Sequence, residues 1–337
     1  MSASPRRLVD TSVERVGIGG VALRGRSIEL TVFPEAGGKI LELVHRPSGV
    51  NLLWQNPRVP LQRTYAGAPF DDVWCGGWDE LFPTDAACEL DGNAYHDHGD
   101  LWTGPWEWAI EHDDGRSASL YLRRYSASLP CVMERWISLE RDSSRVEIRY
   151  RLSNLGALAV PFVWNVHVPH AISAGSRLHL RGRSLGVQPP YLGRVEGTRG
   201  DVSWPHFLDA AGIRQDLRAM PPPESGLTEF LYTRDLEEGW CAVTHPQLAL
   251  GLALSFDLAV FPRIWLFGVY GGWRGHYVLL TEPSTGKPGS LADNVAAGTA
   301  ATIEADASLE TEVTAEVLTE VDVGAAAEAG ARRGSNA

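Results

Sequence analysis

The chain has 337 residues, 44% hydrophobic and 21% charged, which is enough apolar material for a large core and too much for a disordered or fibrous protein. Its formal net charge of -12 and the absence of any basic run argue against a nucleic-acid partner, because that affinity comes from clustered Lys and Arg that displace counterions. Four cysteines (Cys75, Cys88, Cys131, Cys241) without a CxxC pair read as reduced structural thiols. The N-terminus lacks the apolar run of a secretory signal, and no apolar stretch approaches the ~20 residues needed to cross a bilayer. The expectation is a cytoplasmic protein without a membrane partner.

Along the chain the dominant period is two. In Arg26 to Val32, Ile28, Leu30 and Val32 alternate with polar residues, the pattern of a half-buried strand. Glu35-Ala36-Gly37-Gly38 follows as a turn signal. Residues 74–108 then hold five of the 12 tryptophans, in Trp74-Cys75-Gly76-Gly77-Trp78-Asp79-Glu80 and around Tyr95-His96-Asp97-His98-Gly99. Aromatic faces beside carboxylates suit a sugar, whose C–H groups stack on rings while its hydroxyls seek charged partners, so Trp78, Asp79 and Glu80 are candidate binding residues. An aromatic core with satisfied polar edges is the plainer alternative. His96 and His98, at i and i+2, would share one face of a strand, as a metal site requires. The Glu that such a site needs a few residues later is missing, since Glu107 comes nine residues after His98; no metal is expected.

Farther on, Arg145 to Leu152 alternates Val146, Ile148, Tyr150 and Leu152 with charged residues. Val163-Trp164-Asn165-Val166-His167 carries a histidine inside an apolar run, where it must find partners. Residues 188–226, with Pro189-Pro190, Trp204-Pro205 and three consecutive prolines, break the strand rhythm; they read as a long excursion with at most a short helix near Phe207 to Met220. Ile264-Trp265-Leu266-Phe267-Gly268, Gly271-Gly272-Trp273-Arg274 and Tyr277 to Glu282 complete the aromatic clusters, with Glu282 delivered by an apolar strand. Leu309 to Val317 alternates again, and the Ala/Gly-rich segment 324–337 is expected to be a disordered tail. No repeat or linker appears, so a single all-β domain over 1–323, built of large antiparallel sheets, is predicted. Two histidines and one carboxylate near strand ends (His98, His167, Glu282) form a set able to take and give protons.

These residues together resemble the aldose 1-epimerase (galactose mutarotase-like) superfamily, in its divergent members. Pro34 to Ile40 resembles the family's early glycine turn, His98-Gly99 its first His motif, Trp164 to His167 its second, and Leu280-Thr281-Glu282-Pro283-Ser284-Thr285 the segment with its catalytic Glu. The resemblance implies a β-supersandwich with a sugar groove and no cofactor. It makes Glu282 the general base at the anomeric hydroxyl, His167 the general acid at the ring oxygen, and His98 a holder of ring oxygen or hydroxyls. Trp164, Trp265 and Arg274 join Trp78, Asp79 and Glu80 as expected substrate contacts, Arg274 on an acidic substituent. Val168-Pro169-His170 stands where the galactose mutarotases carry Tyr-Phe-Asn, so galactose itself is not implied. A non-catalytic carbohydrate-binding protein on the same fold, or a carbohydrate lyase or hydrolase, are the competing functions, and a homodimer is a possible assembly.

Overall fold

The structure is a computed structural model that describes residues 7–198, 200–319 and 322; the segment 324–337 lies outside the described residues. Short-range alternation sets the strands. The first five (Val9–Arg15, Ile18–Arg24, Ile28–Phe33, Lys39–His45, Val50–Asn51) form a meander in sequence order. An eight-stranded sheet runs Arg177–Gly182, Leu236–His245, Leu250–Phe256, Ser308–Leu318, Arg145–Asn154, Cys131–Glu140, Ser117–Tyr125 and Glu107–Asp113. A seven-stranded sheet runs Val202–Ser203, Ser184–Leu192, Leu227–Thr233, Arg263–Tyr270, Tyr277–Ser284, Asn165–His170 and Asp79–Leu81. Every pairing in these sheets is antiparallel. No helix among the described residues is long and apolar enough to cross a membrane.

The two larger sheets pack face to face. Val146, Ile148, Tyr150 and Leu152 are buried while Arg145, Glu147 and Arg149 between them are exposed, as the period of two requires. They share one apolar cluster with Val166, Val168, Ile264, Leu266 and Leu279 of the seven-stranded sheet. The far face of that sheet is also covered: Leu81, Val269, Val278 and Leu280 pack under Trp54, Phe70, Trp74 and Trp102. Strand Asn165–His170 is therefore buried at all six positions. Strands covered on both faces read as continuous apolar runs, which is how this segment looks in the sequence.

The excursion contains strands in place of the expected short helix. His206–Leu208 pairs with Arg214–Asp216 as a hairpin. The Asp209 side chain closes its turn by accepting from the backbone N–H of Ala211 and Ile213 and from Gln215, a side chain-to-backbone bond that competes with helix formation.

Glu80 is a buried acid between the sheets. Glu80 accepts from Tyr150 Oη at 2.7 Å, Trp164 Nε1 at 2.9 Å and Arg135 Nη1 at 3.3 Å, and Arg135 also donates to the Gly38 carbonyl and lies over Trp106. Removing one partner of such a pair strands the other charge in the core. Glu80→Ala is expected to lower the unfolding free energy by about 3–5 kcal/mol, read as a shift in the urea midpoint at pH 7; an unchanged midpoint would mean that Glu80 does not hold the sheets together.

Candidate active site

Sheet register assembles the first part of the site. His167 stands opposite Asp79 on one neighbouring strand. On the other, the pairings Asn165↔Ser284 and Val168↔Thr281 place His167 opposite Glu282, and Glu282 is in turn opposite Trp265. Directly opposed residues project from the same face with Cβ atoms about 4.5–5.5 Å apart. Asp79, His167 and Glu282 thus form a row on the face away from the eight-stranded sheet. Both His167 and Glu282 are only 3% exposed. The Glu282 carboxyl receives no hydrogen bond from the described residues, and His167 Nδ1 is buried without a partner.

His98 comes from a loop, not from the expected strand, since strand Asn93–Tyr95 ends before it. His98 and Gly99 both adopt the left-handed conformation, with φ of 59° and 68°. A Cβ at Gly99 would lie 1.9 Å from the Phe82 carbonyl oxygen, so only glycine fits. His98 itself holds a conformation that non-glycine residues rarely take. Two anchors maintain it. The His98 N–H donates to the Asp85 carbonyl at 2.6 Å. The Asp100 carboxylate, two residues on, accepts from Ser126 Oγ, the Ala127 and Ser128 backbone N–H groups and Ser128 Oγ. His96 is exposed, with its ring against Gly67.

A short helix, Phe70–Val73, closes the site. The Phe70 ring stacks on His98 at 3.8 Å between centroids and 5° between planes, and its edge meets His167 at 5.7 Å. Trp74 contacts His167 at 5.2 Å and donates its Nε1–H to Asp79 at 3.2 Å. The ring centroids of His98 and His167 are 6.4 Å apart. Lys39 pairs with Asp79; its position follows from the Gly37-Gly38 turn, where both residues have positive φ.

The surroundings separate the proton affinities. Burial pushes the Glu282 carboxyl well above the usual range, and the Asp85 charge adds to the effect. Asp85 itself is raised to about 6, chiefly by burial. Burial, with His98 and Lys39 nearby, holds His167 well below its ordinary value. Burial would lower His98 too, but Asp97, whose Oδ2 lies 2.9 Å from Nδ1, and the charges of Asp85 and Asp71 outweigh it and raise His98. The Asp97 contact is an ion-pair distance without hydrogen-bond alignment.

Of the residues expected in the site, His98, His167 and Glu282 come together. Asp79 joins them as the partner of Lys39. Trp78, Glu80 and Trp164 turn into the core instead of toward a ligand, because strand alternation sends Glu80 to the face opposite Asp79 and the two indoles join the apolar cluster between the sheets. Trp265 is fully buried, donating to the Gly286 carbonyl. Arg274 lies at the rim, matched by Asp72 at 2.7 Å and Asp71 at 3.8 Å, so it is not a free cation awaiting an acid. Phe70, Asp85 and Lys39 were not identified from the sequence. Among the described residues no group of three or more His, Cys, Asp or Glu is arranged to hold a metal ion.

No protein-family model matches the chain, and no curated protein matches its sequence. Solved structures do. A protein of Klebsiella pneumoniae proposed to be an aldose 1-epimerase superposes with a TM-score of 0.73 at 14% identity, over 94% of this chain and 84% of that one. A galactose mutarotase-like protein of Clostridium acetobutylicum gives 0.62 at 11% identity, over 92% and 98%. A Synechocystis protein gives 0.64 at 19% identity, over 95% and 99%. The chain has the galactose mutarotase-like β-sandwich fold.

The opposite shifts of the two histidines are observable. In a nitrogen-15 NMR titration, His98 is expected to protonate above the ordinary value of 6.5 and His167 to stay neutral well below it. His98, bound more tightly to its proton when folded, adds stability below pH ~6.5 that disappears as pH rises through its folded value; His167 acts oppositely, costing stability as pH falls. Asp97→Asn should bring His98 down. Protonation of His167 at or above 6.5 would contradict this electrostatic assignment.

Proposed function

We propose that the chain is an enzyme of the aldose 1-epimerase type, interconverting the α and β anomers of a sugar through ring opening. The observation that carries this reading is the opposition of His167 and Glu282 across one pair of strands, with His167 Nδ1 unpartnered and no hydrogen bond to the Glu282 carboxyl from the described residues. The fold shared with proteins named as mutarotase-like supports it. Hemiacetal opening needs one proton removed from the anomeric hydroxyl and one delivered to the ring oxygen, and a carboxyl–imidazole pair holding a single proton does both. With the proton on His167, Glu282 takes the anomeric proton while His167 protonates the ring oxygen. A carboxylic acid beside a neutral imidazole is the arrangement burial favours and hence the resting one, so the Glu282 proton passes to His167 only with sugar bound, and ring opening returns the pair to its resting arrangement. Rotation about C1–C2 and reversal of both transfers give the other anomer. His98, fixed on Phe70 and raised in proton affinity, supplies a hydrogen bond to a sugar oxygen.

The test is the rate of anomer equilibration for a panel of freshly dissolved α-aldoses, followed by polarimetry or NMR. The wild type should accelerate it for at least one sugar. Glu282→Gln should lower kcat by a factor of about 10²–10⁴, the usual contribution of a general acid–base group, with the fold retained by circular dichroism. No acceleration for any sugar in the panel refutes the reading.

A further inference from the structure

Beside the acid–base residues, Asn56, Arg58, Val59, Asp71, Asp72, Arg274 and His276 line an open groove of about 360 Å³, within the ~300–1,000 Å³ range of small-molecule sites. It adjoins the site through one residue: Asp71 follows Phe70, whose ring stacks on His98, and His98 is among the charges that act on the Asp71 carboxyl. We propose that this groove is a subsite for a second, uncharged sugar unit, so that the substrate is the reducing end of an oligosaccharide; this rests on the aldose 1-epimerase reading.

Charge and hydrogen-bond balance favour a neutral occupant. Two guanidinium groups face two carboxylates, and His276, held down to about 4 mainly by burial, adds no charge near neutral pH. Arg274 donates to the Asp71 carbonyl and the Asp72 carboxylate. Arg58 donates to the Arg274 carbonyl and meets His276 Nδ1 at 2.9 Å. These contacts cross-brace the groove but leave donors of both guanidiniums and acceptor positions on Asp71 and Asp72 open. Alternating donors and acceptors with no net charge match vicinal hydroxyls; a phosphate or carboxylate would have to displace Asp71 and Asp72 from Arg274, or meet Arg58 in a groove that those two carboxylates also line. The acidic set around His98 (Asp71, Asp85, Asp97) also repels an anion. The side wall is rigid: His276 is buried, with its ring against Trp54 at 5.0 Å and Trp273 at 5.3 Å, and Arg274 is held at a positive φ of 50°.

Reducing disaccharides (maltose, cellobiose, lactose, melibiose) and their reducing-end monosaccharide, glucose, are compared for kcat/KM of anomer exchange by NMR, with glucose 6-phosphate and glucuronate as charged controls. At least one disaccharide should exceed glucose ten-fold or more. Arg274→Ala, which opens the groove, and Val59→Trp, which fills it, should each bring that ratio toward one. Equal values for every disaccharide and glucose, a ratio that survives both variants, or preference for a charged sugar overturns the subsite. If no sugar is turned over, the function above fails on its own. The subsite is then decided by titrating Glu282→Gln with the same sugars: ten-fold tighter binding of a disaccharide, lost in Val59→Trp, supports it, and equal or absent binding overturns it.

Discussion

A three-residue strand pinned from both faces by buried charge is the constraint on which the site depends. Asp79 and Glu80 are neighbours, so strand alternation sends one carboxylate to the outer face and the other between the sheets. Lys39 and Trp74 hold the first; Arg135, Tyr150 and Trp164 hold the second. Buried carboxylates are costly unless their partners are complete. These two can therefore be satisfied together only when the N-terminal meander, the eight-stranded sheet and the strand Asp79–Leu81 are all in place. That strand borders Asn165–His170 and fixes which way His167 faces.

Both of these carboxylates have a cationic partner, although Asp79 Oδ1 is left without a hydrogen bond; the groups without such a partner define the chemistry. Glu282 and His167 sit in the same dry layer as Asp79, yet no Lys or Arg compensates them. The energetic consequence is a carboxyl that resists ionising and an imidazole that resists protonation, brought toward each other in proton affinity from opposite sides. The aromatic cover, Phe70 and Trp74, excludes water while offering neither group a strong hydrogen bond, leaving both available to a ligand. His98 differs because three acidic neighbours outweigh its burial.

Much of this was legible in the sequence, and the failures have physical reasons. Alternation in Arg145–Asn154 and Ser308–Leu318 identified strands because one face of each is wet. His167 and Glu282 stood out because ionisable residues inside apolar runs are expensive and rarely idle. Asp79 and Glu80 read alike as ligand contacts in the sequence, but on a strand only one of two neighbours can face a ligand. The indoles of Trp78 and Trp164 were indistinguishable by composition from a sugar platform; burial alone tells the two apart. Phe70 and Asp85 carried no local signal, since their roles arise from contacts with His98 across a long stretch of chain. The hairpin within the excursion was hidden because its turn is closed by the Asp209 side chain, whose pattern resembles any polar loop.

The cross-strand placement of His167 and Glu282 makes their spacing a property of the backbone ladder, not of the side chains packed around them. Substitutions near the pair can alter the proton affinities yet leave the spacing in place. Inserting or deleting a single residue in Asn165–His170 or Tyr277–Ser284 is a different kind of change, because a one-residue slip turns every following side chain to the other face. It would carry the histidine or the carboxylate into the layer between the sheets. The two strands are consequently places where chain length, more than residue identity, is under restraint.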